Sequence, residues 1–252
     1  MDITITTYLI VCPLVFVAAF IDSIAGGGGI ISLPAYIIAG VPPHYALGSN
    51  KLSSFMGTIV STARYIKHGA ADLKIAPFSI VLALIGSAIG ANLALYVSEE
   101  FLKNLLIIVL PVVAFFVLRK NSFGENNQET EIDRKKQVAI ALVAAFIIGG
   151  YDGFYGPGTG TFLILILTSL AHMDIKIASG NTKLINLSSN LAALVTFMIN
   201  GKVLFLLALI AGVFGILGNY IGSGLVLKSG TKVVKPVMVL VLILLFIKIV
   251  TE

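Results

Sequence analysis

Residues 22–29 read Asp-Ser-Ile-Ala-Gly-Gly-Gly-Gly, and residues 152–159 read Asp-Gly-Phe-Tyr-Gly-Pro-Gly-Thr. Each stretch interrupts a long apolar segment. Consecutive glycines, or Gly-Pro-Gly, weaken a helix through backbone freedom and lost hydrogen bonds, so both stretches read as breaks. About twenty residues after each comes a lysine inside the next apolar stretch, in Gly48-Ser49-Asn50-Lys51 and Gly180-Asn181-Thr182-Lys183. Hydrophobic segments broken at matching places in two halves of a chain point to a transporter's binding site.

The match extends along the chain at fixed offsets. At 130 residues Asp22 meets Asp152, Gly26 meets Gly156 and Gly28 meets Gly158. At 132 residues Gly48 meets Gly180, Lys51 meets Lys183, Gly69 meets Gly201, Gly86 meets Gly218 and Gly90 meets Gly222. Two residues inserted between the break and the next helix account for the change. The pattern is that of a duplication.

Composition sets the class. Of 252 residues 58% are hydrophobic and 12% charged, and the mean hydropathy is +1.02. Soluble domains carry roughly 25% charge, so this chain reads as an integral membrane protein. The net charge of +5 falls mostly in loops, where it orients a membrane protein, and does not suggest nucleic acid. No basic n-region precedes the first apolar stretch, so no signal peptide is expected. Cys12 is alone, and His44, His68 and His172 lie far apart, so neither a disulfide nor a metal site is expected. No cofactor motif, nucleophile motif or nucleotide-binding loop appears, which argues against an enzyme and against ATP-driven transport.

Apolar stretches fall at 8–25, 29–40, 44–66, 75–97, 101–118, 137–151, 160–171, 175–199, 203–227 and 233–250. A spanning helix needs roughly 20 residues. The 29–40 and 160–171 pieces are too short and read as the returning arms of re-entrant hairpins. Each half then makes three net crossings, so the second is upside down. The expected fold is an all-α polytopic membrane protein of two inverted repeats. Each repeat is a Gly-broken hairpin followed by three spanning helices. Residues 1–118 form the first repeat, 119–136 a polar cytoplasmic linker, and 137–252 the second repeat. With the linker inside, loop and helix-end Lys and Arg divide twelve inside to three outside, as the positive-inside rule requires. Both termini are expected outside a cell membrane.

The landmarks suggest a site. Unwound backbone at membrane depth survives where protein buries it or a cavity touches it. Half-helices starting just after Gly26, Gly27, Gly28 and Gly29, and after Gly156, Gly158, Thr159 and Gly160, would aim positive N-terminal ends at the breaks. A lysine in a spanning helix costs at least about 2.5–3.5 kcal/mol at the centre, which marks Lys51 and Lys183 as functional. Each sits roughly 10–12 Å into its helix, entering from opposite faces toward the midplane. Two cations beside two half-helix N-termini describe a site for a small anion, with Asn50, Asn181 and Thr182 as further contacts. Removal of either lysine is expected to abolish anion binding and leave the fold intact. Asp22 and Asp152 could pair with the lysines, cap the broken helices, relay a proton or bind a cation. Gly86-x-x-x-Gly90 and Gly218-x-x-x-Gly222 read as packing motifs between the halves.

These motifs resemble the TauE/SafE family of membrane transporters, often labelled sulfite exporters. The Asp-x-x-x-Gly-Gly-Gly-Gly break with Pro34 after it, Gly-Ser-Asn-Lys, the run Tyr151 to Gly160 and Gly-Asn-Thr-Lys carry the resemblance, which covers essentially the whole chain. Ser49 stands where a threonine is frequent and keeps the hydroxyl. The resemblance implies transport of a small anion such as sulfite, a sulfonate or a related sulfur-containing organic anion, commonly as export, with a proton as the suspected coupling ion. An anion channel and a proton- or sodium-coupled importer stay open as alternatives. The expected partners are the anionic substrate and the bilayer, and a homodimer is left open.

Overall fold

The structure is a computed structural model that describes residues 3–98, 100–101, 132–230, 232–234 and 236–237. Its described residues form eight α-helices and no strand. They are α1 (Ile5–Ala25), α2 (Gly29–Ile38), α3 (Pro43–Lys67), α4 (Ala76–Tyr96), α5 (Arg134–Phe154), α6 (Thr159–Ser169), α7 (Ile175–Ile199) and α8 (Phe205–Ser229). The apolar stretches at 101–118 and 233–250, and most of the 119–136 linker, lie outside the described residues.

Five of these helices, α1, α4, α5, α7 and α8, are long and apolar enough to cross a membrane. The 25 residues of α3 would also reach across. That helix is more polar because it lies within the bundle, with Ser49, Asn50, Lys51, Ser53, Thr58, Ser61 and Thr62 all buried. The outer faces are apolar instead: Leu93, Ile147, Leu206 and Val213 are each more than half exposed. Polar groups inside and apolar groups outside is the arrangement of a protein whose solvent is lipid. The fold is therefore that of an all-helical, multi-pass membrane protein.

The duplication is visible in three dimensions. The breaks fall where the glycines put them: α1 ends at Gly26 (φ 72°) and α5 is followed by Gly156 (φ 100°). The last turns of α3 and α7 are copies. Gly69 and Gly201 both have φ 64°, and the amides of Ala70 and Lys202 reach back to the carbonyls of Tyr65 and Phe197. Interhelical contacts repeat in the same way. The Ser49 hydroxyl accepts from the Leu204 amide at 2.9 Å, and the Asn181 carboxamide oxygen accepts from the Asp72 amide at 3.0 Å. An ideal Cβ on Gly48 would lie 2.1 Å from the Lys202 carbonyl oxygen, and one on Gly180 would lie 1.7 Å from that of Ala70. Thus the start of α3 meets the end of α7, and the start of α7 meets the end of α3. The two repeat-related helices run antiparallel.

Each half is held by the other. A Cβ on Gly86 or Gly90 would lie 2.3 or 2.0 Å from carbonyl oxygens of α5, and one on Gly218 or Gly222 would lie 2.4 Å from carbonyl oxygens of α1. The Gly-x-x-x-Gly faces let α4 lie against α5 and α8 against α1 with backbones touching.

The short helices return to the end they came from. Gln137, near the start of α5, donates to the carbonyl of Ala171, just beyond α6, at 2.7 Å. The same end of the bundle holds the Arg134–Asp72 ion pair, and Asp133 and Asp174 cap α5 and α7 there. Partial burial raises the Asp72 carboxyl, but hydrogen bonds from Arg134 and from the backbone of Lys74 and Ile75 outweigh it and hold the carboxyl below its usual range. Nine of the described Lys and Arg, from Arg64 to Lys232, gather at this end, against Lys202 at the other.

Candidate functional site

The two glycine breaks touch. An ideal Cβ on Gly26 would lie 2.2 Å from the carbonyl carbon of Gly160 and 2.3 Å from the Thr161 amide nitrogen, and one on Gly29 would lie 3.2 Å from the Pro157 Cα. The Thr161 hydroxyl ties the crossing together by donating to the Ala25 carbonyl at 3.1 Å. Both half-helices, α2 and α6, start at this crossing, so their free amide ends converge there.

The lysines do not stand free. Lys51, on the first repeat, pairs with Asp152 on the second, Nζ to Oδ1, at 2.9 Å, and also donates to the Asp152 carbonyl at 2.5 Å. Lys183, on the second, pairs with Asp22 on the first at 2.5 Å. The pairing is swapped: each lysine finds its counter-ion across the repeat boundary. Each aspartate also sits at the start of its own half-helix. Asp22 accepts from the Gly28 amide at 3.3 Å, and Asp152 accepts from the Thr159 hydroxyl at 3.0 Å. Of the roles open to the aspartates, pairing with the lysines is the one seen for both, and Asp22 alone also takes a backbone amide at the start of its half-helix.

The two pairs occupy different depths. Thr62 donates to the backbone carbonyl of Lys183 at 3.1 Å, and Thr62 lies eleven residues beyond Lys51 on the antiparallel helix. At 1.5 Å per residue this separates the lysines by about 16 Å along the helices. The expected single meeting point becomes two ion pairs, reached by lysines from different depths, whose carboxylates line one cavity.

The pairs are also unequal. Asp152 receives Lys51, Thr159 and, at 2.5 Å, the Ser189 hydroxyl, and its side chain is 8% exposed. Asp22 receives Lys183 and one amide, and its side chain is 21% exposed. The repeat mates of Thr159 and Ser189 are Gly29 and Gly57, which have no hydroxyl to give.

A cavity of about 50 Å³ lies against this crossing. At roughly 10–15 Å³ of such space per water it would hold about three waters or one small oxyanion. Asp22, Gly27, Gly28, Gly29, Asn50, Lys51, Asp152, Gly156, Thr159 and Gly160 line it, as do Ser32, Thr58, Asn186, Asn190 and Asn219. Gly26 and Gly158 are buried beside it in the breaks. Lys183, Asn181 and Thr182 do not line it. Asn181 is spent on the Asp72 loop, and the Thr182 hydroxyl is buried with no partner. Ala18, Ser32 and Ser53 are part of the lining, and the corresponding positions of the second half hold the bulkier Ile148, Phe162 and Ile185.

Sequence reasoning did not single out Ser32 and Asn219. A lone carboxamide inside an apolar helix such as α8 was the available signal. Among the described residues no cluster of three or more His, Cys, Asp or Glu could hold a metal ion.

The comparisons agree with this architecture. The chain is 36% identical over 237 residues to the probable membrane transporter protein ORF9 of Sinorhizobium sp., covering 94% of this chain and 90% of that one. It is 35% identical over 224 residues to the probable membrane transporter protein YfcA of Escherichia coli strain K12, covering 89% and 82%. It is 30% identical over 252 residues to a probable membrane transporter protein of Haemophilus influenzae, covering 100% and 98%. No solved structure matches the chain significantly. A model of one family, described as sulfite exporter TauE/SafE, matches residues 11–249. The chain thus belongs to the TauE/SafE family, whose members here are named as membrane transporters, not enzymes.

Proposed function

We propose that this chain is a secondary transporter of a small anion, with sulfite, sulfonates and related sulfur-containing organic anions as the substrate class. The observation that carries this reading is the cavity at the crossed breaks, where Lys51, Asn50 and the amide ends of two half-helices converge in the bundle interior. With both aspartates ionised the two ion pairs sum to zero charge. The surplus positive potential comes from the helix N-termini. An anion entering the cavity competes with the Asp152 carboxylate for Lys51.

The antiparallel α3 and α7 support an inverted repeat in the bilayer. Rocking of one repeat on the other would open the cavity to each side in turn. The end of the bundle rich in Lys and Arg is cytoplasmic under the positive-inside rule, which puts residues 68–74 inside, residues 200–202 outside and both termini outside, in the cell membrane. An inside-negative membrane potential drives an anion outward with about 2.3 kcal/mol per charge per 100 mV. Export therefore needs no second coupling ion. The family name, which speaks of sulfite export, agrees with that direction.

Two measurements test this reading. In proteoliposomes, labelled sulfite uptake should saturate and should accelerate when the vesicles are preloaded with unlabelled sulfite. Flux without saturation or counterflow means a channel, and an absolute sodium requirement means a cation-coupled importer. In intact cells, an impermeant thiol reagent should label a cysteine placed at position 201 but not one at position 71. The reverse pattern would overturn the orientation.

A further inference from the structure

Three residues of the cavity lining carry carboxamide oxygens that no described group satisfies. Asn219 donates its Nδ2 to the Gly215 carbonyl one turn back on α8, at 3.2 Å. That bond fixes the amide, and its Oδ1 is left buried with no partner. Asn50 and Asn186 also have buried, partnerless Oδ1 atoms. These three residues are 2%, 7% and 5% exposed, and all line the cavity. The hydroxyls of Ser32 and Thr58, on the same wall, spend their protons on the Gly28 and Ser54 carbonyls, leaving lone pairs for a ligand. Both carboxylates of the lining, Asp22 and Asp152, are already matched by a lysine, Lys183 and Lys51, so the side chains bring no surplus positive charge.

Sulfate brings acceptors only. It would leave the carboxamide oxygens unpaired and bring two negative charges to a lining whose ion pairs sum to zero. A ligand with an O–H or N–H can satisfy a buried acceptor that no described residue reaches, and sites built in this way discriminate strongly against analogues that lack the donor.

We infer that the cavity selects a small monoanion that itself carries a hydrogen-bond donor, its anionic end toward Lys51 and the half-helix N-termini and its donor toward Asn219, Asn50 and Asn186. The inference rests on the anion-transport reading above and narrows its substrate class.

The test uses ethanesulfonate and aminomethanesulfonate at a mildly alkaline pH, where both are monoanions. They have equal numbers of non-hydrogen atoms, and the second has an N–H donor in place of a methyl group. Binding to the purified full-length protein is measured by calorimetry, with sulfate as a third ligand. Aminomethanesulfonate should bind at least tenfold more tightly than ethanesulfonate, and sulfate more weakly than either. In Asn219→Leu the ratio of the two sulfonate affinities should fall toward one, with a monodisperse peak and an unchanged melting temperature as the check on folding; an undiminished ratio overturns the role of Asn219. Equal affinities for the two sulfonates in the wild-type protein overturn the donor inference and leave the anion reading standing. Binding of none of the three, and of no sulfite, overturns both.

Discussion

Lys51→Ala is expected to destabilise the protein by about 3–5 kcal/mol, the cost of stranding one member of a buried ion pair. Asp152 would keep its bonds from Thr159 and Ser189 but lose the cation that balances it, and its backbone carbonyl would lose a donor. The double variant Lys51→Ala with Asp152→Ala should regain much of the loss, because removing both partners leaves no uncompensated charge. Lys183→Ala should cost less, since Asp22 is partly open to the cavity, where water can take over. Asp22→Ala should cost more than Lys183→Ala, because it strands an ammonium that is 1% exposed. Thermal denaturation of the purified variants in one detergent gives the ranking. If Lys51→Ala melts with the wild type, the swapped pairing is wrong. The expectation from sequence alone, that either lysine could be removed with the fold intact, changes for this reason: both are structural counter-ions as well as candidate ligand groups.

The second large effect belongs to the crossed breaks. Gly26→Ala is expected to prevent folding. Its Cβ would sit 2.2 Å from the backbone of Gly160, where no side chain can move aside, and its φ of 72° is strained for any L residue. Gly40→Ala separates the two causes. Gly40 has φ 86° but nothing within 4 Å of a Cβ, so only the backbone strain of about 1–2 kcal/mol should appear. Expression followed by size-exclusion chromatography should show a monodisperse peak for Gly40→Ala and aggregate or no protein for Gly26→Ala. Monodisperse Gly26→Ala with an unchanged melting temperature would mean that the breaks do not touch.

Much of this was legible in the chain. The offsets of 130 and 132 predicted the copied helix ends at Gly69 and Gly201, the packing at Gly86, Gly90, Gly218 and Gly222, and the meeting of the breaks. Repeats reveal equivalence, however, and equivalence is not contact. Nothing in the spacing of Asp22, Lys51, Asp152 and Lys183 says which carboxylate a lysine reaches, because that depends on how one half crosses the other. The depth of the lysines could have been foreseen. Each lies eight residues into a 25-residue helix from opposite ends, which leaves about 12 Å between them at 1.5 Å per residue. Asn181 and Thr182 were grouped with the ligand contacts by adjacency to Lys183, yet successive helical residues point in different directions. The small residues Ala18, Ser32 and Ser53 were present in the chain, but only the packed structure shows that they share one cavity.

The swapped ion pairs also bear on how the protein is made. When the first 118 residues have entered the membrane, Lys51 and Asp22 are present, but the partners of both, Asp152 and Lys183, have not yet been synthesised. The first half is thus a charged, incomplete guest of the bilayer until the second arrives, and the second is equally incomplete without the first. Two pieces cut in the 119–136 segment should therefore be more stable in detergent together than apart. The two halves of this sequence are copies in pattern, and each carries the other's counter-ions.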